Sequence, residues 1–221
     1  ATPTPPAPPT RSAVAFLPAA IAGRCADGRP IDAVLVVDVS AHMRERDGDG
    51  TRLGAARAAA AVVVDGLTRA IDHRAALVTA GDGAVLRSAF ARPSDVGALL
   101  ASLAAEPAPS AATPIDEALV AAGQVLRSAR PGAAKVVVVI GDGRAWPAEL
   151  AAAAAAARAA EAAGATVLAI GTGLAQAPLR AVLTAVVGDG ARYLDQRARR
   201  DAGDWVMAGA HCPPGPWWMG R

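Results

Sequence analysis

The chain has 221 residues, which is enough for one substantial α/β domain with short extensions and too few for two average domains plus linkers. Apolar residues make up 53% of the chain and aromatic residues only 3%, so the core must be built from Ala, Val and Leu. The net charge is +2, and arginine supplies almost all the positive charge because Lys135 is the only lysine. The basic residues do not form the clustered stripe of a nucleic-acid binder, so no nucleic-acid partner is expected.

Residues 1–24 are predicted to be a proline-rich extension. Five of the first ten residues are prolines, which is typical of an extended polyproline-type tether. A tether before a folded domain suits a protein held away from a cell envelope, and an internal linker of a larger protein is the alternative. The tether therefore favours an extracellular or cell-envelope location. The use of arginine for lysine and the alanine content separately point to a bacterium with a GC-rich genome. A signal peptide is not predicted, although a trimmed product would have the same sequence.

Alternating strands and helices are predicted over residues 25–200, which form the core domain. Ile31–Val39 is a nearly continuous run of β-branched residues and leucine, and it indicates a strand buried on both faces. Such strands belong to parallel sheets that helices cover on both sides. The segments Ala75–Ala80 and Ala84–Ala89 flank a short glycine-containing loop, which predicts a hairpin with one antiparallel strand at the edge of the sheet.

The other predicted elements continue this alternation. Helices are predicted over Leu53–Ile71, Pro93–Ala105, Pro114–Ser128, Pro147–Ala163 and Gln176–Val187, and strands over Lys135–Ile140, Thr166–Ile170 and Tyr193–Asp195. The pattern predicts the α/β class, as a Rossmann-like three-layer sandwich with a mostly parallel central sheet and one antiparallel edge strand. Charged residues such as Arg57 and Asp65 interrupt the long apolar stretches, so no membrane insertion is expected.

Residues 201–221 are predicted to be a tail rich in tryptophan and proline. It holds Trp205, Trp217 and Trp218, three of the four tryptophans. An apolar tail at the end of a domain more often packs onto the core than projects into solvent, so packing is favoured over a patch that faces a partner.

The two cysteines, Cys25 and Cys212, lie just outside the two ends of the predicted core. Termini that lie close together would allow a disulfide between them, which is the favoured interpretation of an even count flanking a domain. Two unrelated buried thiols are the alternative.

Oxygen-bearing side chains occur where three separate segments meet the predicted sheet edge. Asp38 and Ser40 leave the first strand, Asp142 leaves a later strand, and Thr113 precedes a helix. Ligands of open α/β sheets collect beyond the carboxyl ends of the strands, where the strand order reverses. Because Mg²⁺ takes oxygen ligands from carboxylates, hydroxyls and water, these four residues are candidate metal ligands.

These segments resemble the metal-ion-dependent adhesion site of the von Willebrand factor type A domain. The resemblance covers about residues 31–196 in the expected order, and it includes Arg74–Thr79, Thr113–Leu119 and Val167–Gly171. The family's first motif is Asp-x-Ser-x-Ser, and the chain reads Asp38-Val39-Ser40-Ala41-His42 at this point.

His42 replaces the family's second serine, and three outcomes follow. The site holds Mg²⁺ (or Mn²⁺ or Ca²⁺) with water in the vacant place, or it holds a metal such as Zn²⁺ or Ni²⁺ with His42 as an additional ligand, or it holds no metal.

The resemblance implies recognition rather than turnover. A bound cation with one open coordination position would take an Asp or Glu carboxylate of a protein partner, and the loops Arg44–Arg52, Gly81–Gly83 and Arg144–Pro147 would select that partner. The rival hypothesis is a module of the same fold with a metal-free site that acts by surface packing in a larger complex. Hydrolysis by Ser40 and His42 is a third hypothesis, and it is disfavoured because their two-residue spacing off a strand end gives a poor geometry for a nucleophile and its base.

The segment Arg46–Gly50 is similar to part of a calcium-binding loop, but it lacks the spaced ligands and terminal glutamate of a full EF-hand. A solvated turn is the favoured interpretation.

Overall fold

The structure is a computed structural model that describes residues 29–69, 72–103, 114–143, 147–172, 184–186, 193–195 and 202–211. Its strands are β1 (Ile31–Asp38), β2 (Arg46–Asp47), β3 (Gly50–Thr51), β4 (Arg74–Ala80), β5 (Ala84–Ala91), β6 (Ala134–Gly141), β7 (Ala165–Gly171) and β8 (Tyr193–Asp195). Its helices are α1 (Arg52–Thr68), α2 (Pro93–Ser102), α3 (Ile115–Leu126), α4 (Pro147–Ala162) and α5 (Ala202–His211), and a 3₁₀ turn spans Ala41–Arg44.

The central sheet has the strand order β5-β4-β1-β6-β7-β8. All neighbours in it pair in parallel except β4 and β5, which form the antiparallel hairpin at one edge. The residues of β1 and nearly all those of β6 are buried, as expected of parallel strands that helices cover on both faces. The prediction of a mostly parallel sheet with one antiparallel edge strand is therefore confirmed.

The strand order reverses between β1 and β6. The chain leaves β1 and proceeds through α1 to β4 on one side, whereas β6 pairs with β1 on the other side. The register matches Val37 with Ile140, so both strands reach the same height at their carboxyl ends. Loops that diverge from two such strands leave a crevice between them, which is where this class of sheet binds ligands.

Helices cover both faces of the sheet and create two apolar cores. One core joins the sheet to α1, α2 and α5, with Leu67, Leu100 and Val206 fully or almost fully buried. The other joins it to α3 and α4, with Leu119 and Ala157 each 1% exposed. This is the three-layer sandwich that the sequence predicts.

Helix boundaries differ from the predicted ones by a few residues. Helix α3 begins at Ile115, and Pro114 is its N-cap rather than its first helical residue. Helix α1 ends at Thr68, and the predicted end at Ile71 lies outside the described residues. Of the predicted helix Gln176–Val187 the structure describes residues 184–186, which are helical.

The segment Arg46–Gly50 belongs to a very short antiparallel hairpin, β2–β3, as expected of a turn. Gly48 has φ of 62° in its connection, a backbone conformation that glycine adopts without steric cost. Arg46, Gly48, Asp49 and Gly50 are exposed.

Part of the predicted tail belongs to the packed domain. Helix α5 places Ala202, Val206 and Ala210 in the core, and Trp205 packs against that core partly buried. Packing of the tail was the favoured prediction, and residues 202–211 follow it. Cys25, Cys212, Trp217 and Trp218 lie outside the described residues, so the disulfide stays a prediction. Among the described helices, none is both long and apolar enough to cross a bilayer.

Candidate functional site

Four of the predicted site residues meet at the carboxyl edge of the sheet. Asp38 is the last residue of β1, Ser40 and His42 follow in the turn after it, and Asp142 directly follows β6. All four are buried, with exposed fractions of 3%, 0%, 7% and 1% in that order. Thr113 lies outside the described residues.

The turn after β1 is held by the Asp38 carboxylate. Asp38 Oδ1 accepts hydrogen bonds from the Ser40 backbone N–H at 2.9 Å and from Ser40 Oγ at 2.5 Å. The hydroxyl of Ser40 is therefore turned toward the strand end, inside the site.

The His42 ring lies between the two aspartates. Its Nε2 atom is 3.2 Å from Asp142 Oδ1 and 3.7 Å from Asp38 Oδ2. Burial by itself would lower the pKa of His42, but hydrogen bonding and attraction from Asp142 and Asp38 outweigh burial and raise the pKa to about 9. The two carboxylates thus favour the protonated form of the imidazole in the arrangement that the structure shows.

A second cation, Arg52, was missed by the sequence analysis. Arg52 is the first residue of α1 and is only 6% exposed. Its Nη1 atom donates to Asp142 Oδ2 at 2.7 Å, and its Nη2 atom pairs with Glu45 Oε2 at 2.8 Å. The available signal was its place at a helix N-terminus, where the helix dipole disfavours a cation unless carboxylates are nearby.

Gly141 allows the two strand ends to approach each other. A Cβ atom at Gly141 would lie 2.7 Å from Asp38 Cβ and 3.1 Å from Asp38 Oδ2. Glycine at the end of β6 thus leaves room for the Asp38 side chain beside the backbone that carries Asp142.

The arrangement can be tested against the cation that the family resemblance implies. Asp38, His42 and Asp142 each offer a ligand atom, and these atoms lie within 4.8 Å of one another. However, the two oxygens of Asp142 already face His42 and Arg52, and Mg²⁺ prefers oxygen ligands to imidazole. As these side chains lie, they do not fit a hard divalent cation, because the His42 imidazole and the Arg52 guanidinium occupy its surroundings.

The model of the von Willebrand factor type A domain family matches residues 33–144, just over half of the chain. The matched segment contains Asp38, Ser40, His42 and Asp142, and it ends shortly after β6. The chain therefore belongs to the von Willebrand factor type A domain family.

Solved structures with the same fold come from several bacteria. BatB from Bacteroides thetaiotaomicron is 18% identical with a TM-score of 0.67, over 80% of this chain and 98% of that one. The vWF domain of the type V pili tip protein Mfa5 from Porphyromonas gingivalis is 15% identical with a TM-score of 0.67, over 81% and 94% of the two chains. The PilB minor pilin from Streptococcus sanguinis is 14% identical with a TM-score of 0.63, over 86% and 64%.

At such low sequence identities, the similarity to these solved structures establishes the fold alone. No match to this sequence is found among curated proteins.

Proposed function

We propose that this chain is an adhesion or assembly module of the bacterial cell envelope, which binds a protein partner at the carboxyl edge of its sheet. The observation that carries the proposal is the convergence of Asp38, Ser40, His42 and Asp142 at the point where the strand order reverses. Ligand binding in open α/β sheets is concentrated there.

The solved structures support the envelope setting. Among them are a pilus tip protein, a minor pilin and an aerotolerance-related membrane protein from Bacteroides fragilis, the last with a TM-score of 0.65 and 19% identity. Two of these proteins are thus pilus proteins and one is a membrane protein, and we extend that envelope setting to this chain.

The geometry of the site favours metal-free recognition of the partner through surface contacts. The buried charges of the site are balanced within the protein, since Asp38 and Asp142 face His42 and Arg52. Exposed residues of the neighbouring loops, such as Arg44, Asp49 and Asp82, then supply the surface that a partner would contact.

Cation-dependent recognition is the second candidate. In this form Mg²⁺, Mn²⁺ or Ca²⁺, or a metal that accepts imidazole, would be held by Asp38, Ser40 and Asp142 with or without His42. The observation that favours it is the close spacing of the ligand atoms of Asp38, His42 and Asp142.

We further propose that the module has no enzymatic activity. Ser40 Oγ lies 3.0 Å from His42 Nε2, the nitrogen that Asp142 Oδ1 also faces at 3.2 Å, and is farther from Nδ1, at 3.4 Å. A nucleophile activated by a base needs these two partners on opposite ring nitrogens. The geometry therefore offers no support for turnover at Ser40, which is also fully buried.

Site-specific photo-cross-linking on living cells tests the proposed function. A cross-linking amino acid replaces Asp49, an exposed residue at the carboxyl edge, or Ser128, an exposed residue near the opposite edge. We expect one discrete cross-linked partner from position 49 and none from position 128, read by immunoblot and mass spectrometry. Equal capture from both positions, or capture from position 128 alone, would contradict the proposal.

A further inference from the structure

The position of Arg52 is unfavourable for a positively charged side chain unless that side chain is paired. It starts α1, where the helix dipole is unfavourable to a cation, and it is buried to 6% exposure. Moving a charged group out of water is costly unless it is paired and hydrogen-bonded. Asp142 and Glu45 provide that pairing, at 2.7 and 2.8 Å.

We propose that the Arg52 guanidinium is the resident cation of this site, standing between an inner carboxylate and an outer one and neutralising the Asp142 charge that a divalent ion would need. Asp142 is the inner carboxylate, and Glu45 occupies the position that a partner's Asp or Glu would take. This inference rests on the proposed function and names the charge that completes its site.

The geometry gives the two carboxylates different roles. The Asp142 side chain is 0% exposed and binds Nη1, whereas the Glu45 side chain is 44% exposed and binds Nη2. Glu45 is also anchored through its backbone, because the Arg52 N–H donates to the Glu45 carbonyl oxygen at 3.0 Å. Release of the Glu45 side chain would therefore expose one guanidinium edge and leave the buried pair with Asp142 intact.

The ligand class that follows is a carboxylate. A guanidinium is planar and permanently charged, and its separate N–H groups bind carboxylates directly. A partner's Asp or Glu can exchange with Glu45 on Nη2 without any metal. A divalent ion, in contrast, would have to share the Asp142 carboxylate with the guanidinium on Oδ2, and the repulsion between two cations on one buried carboxylate disfavours its binding.

Metal titration of three variants tests this inference, with Mg²⁺, Mn²⁺ and Zn²⁺ alone as probes. His42→Ser restores the family's Asp-x-Ser-x-Ser motif and keeps Arg52. The double variant His42→Ser/Arg52→Gln removes both the imidazole and the guanidinium. His42→Ser/Arg57→Gln is its matched control, since Arg57 lies in the same helix and donates to the Leu103 carbonyl oxygen instead. The readouts are the Tm in EDTA and in each metal, and the stoichiometry by calorimetry.

The expected result distinguishes the effect of Arg52 on metal binding from the effect of His42. The parent, His42→Ser and the Arg57 control keep the same Tm in EDTA and in metal. The double variant gains a saturable site for one ion, and its Tm rises by roughly 5–10 °C when the metal reaches about 100 times its Kd. If the double variant is unfolded in EDTA, recovery of helical circular dichroism on metal addition is the same positive result.

Three outcomes would overturn the inference. The first is a metal-induced Tm rise in the parent that Asp38→Ala abolishes. The second is a full metal response in His42→Ser alone, which would make His42 rather than Arg52 the barrier. The third is a double variant with no metal response, folded or unfolded, since the oxygens around Arg52 would then not form a cation cradle. None of these results depends on the cross-linking result, so the two proposals fail separately.

Discussion

Gly141 shows how much a single atom matters at the site. Its Cα lies beside the Asp38 side chain, and an added Cβ would meet Asp38 Cβ at 2.7 Å. We predict that Gly141→Ala lowers the free energy of unfolding by about 1–3 kcal/mol, because the overpacked strand end must shift. Urea unfolding of the parent and the variant measures this difference.

Gly50→Ala is the matched control. Gly50 lies in β3 of the two-stranded hairpin that follows β1 in the chain, and a Cβ there would meet no atom within 4 Å. Its free energy of unfolding should stay close to that of the parent. Equal losses in the two variants would mean that the contact with Asp38 is not the cause.

Most residues of the candidate site were predicted from the sequence. Asp38, Ser40, His42 and Asp142 were predicted from their places after strands and from a family motif, and the structure brings them together. Arg52 was not predicted, because no motif position carries it and its partner Asp142 is 90 residues away. Pairing over such a separation depends on the fold.

Helix α5 belongs to the domain because it packs closely on α1. The two helices meet at Gly66 and Gly203, where a Cβ added to Gly66 would lie 2.8 Å from Gly203 Cα. Alanine in a helix interior normally stabilises relative to glycine by about 1 kcal/mol. We predict the opposite for Gly66→Ala, a loss of about 1–3 kcal/mol in the free energy of unfolding, since backbone rather than a flexible side chain must move.

Gly54→Ala tests the same substitution in the same helix without the close contact. Gly54 is exposed, and a Cβ there would lie 3.4 Å from Thr51 Oγ1, which is ordinary van der Waals contact. Chemical denaturation should show this variant as stable as the parent or slightly more so. A stable Gly66→Ala variant would mean that α5 does not pack on α1 in solution.

Asp32 joins three separate parts of the molecule at the amino edge of the sheet. It lies near the start of β1, is fully buried, and accepts hydrogen bonds from Arg74 Nη2 at 2.6 Å and Arg130 Nη2 at 2.7 Å. Burial would raise the pKa of Asp32, but these hydrogen bonds outweigh burial and lower the pKa to about 2, from an ordinary 3.8. The folded state therefore prefers the ionised form.

This preference predicts how the stability of the whole domain depends on pH. Because the folded pKa is lowered, the contribution is fully present above the unfolded pKa and is lost as the pH falls toward 2. We expect Asp32→Asn to cost about 3 kcal/mol at pH 6, since two arginines lose their ionised partner. That cost should shrink by about 2 kcal/mol between about pH 5 and pH 2.

Urea unfolding of the parent and of Asp32→Asn across this pH range gives the comparison. Only the difference between the two proteins matters, because other carboxylates titrate in both. A constant difference from pH 6 to pH 2 would contradict the lowered pKa and leave packing as the sole role of Asp32.

The sequence by itself determined the architecture and the chemistry available at the sheet edge. Nearly continuous apolar runs such as Ile31–Val39 are buried in a parallel sheet that helices cover on both faces, and the order of the residues in the chain places Asp38 and Asp142 at the ends of two such strands. Tertiary structure alone decided which charges neutralise one another. Asp142 meets Arg52, and α5 joins the core at Gly66, because strand order and helix packing set distances between residues far apart in the chain. The local sequence pattern does not determine those distances.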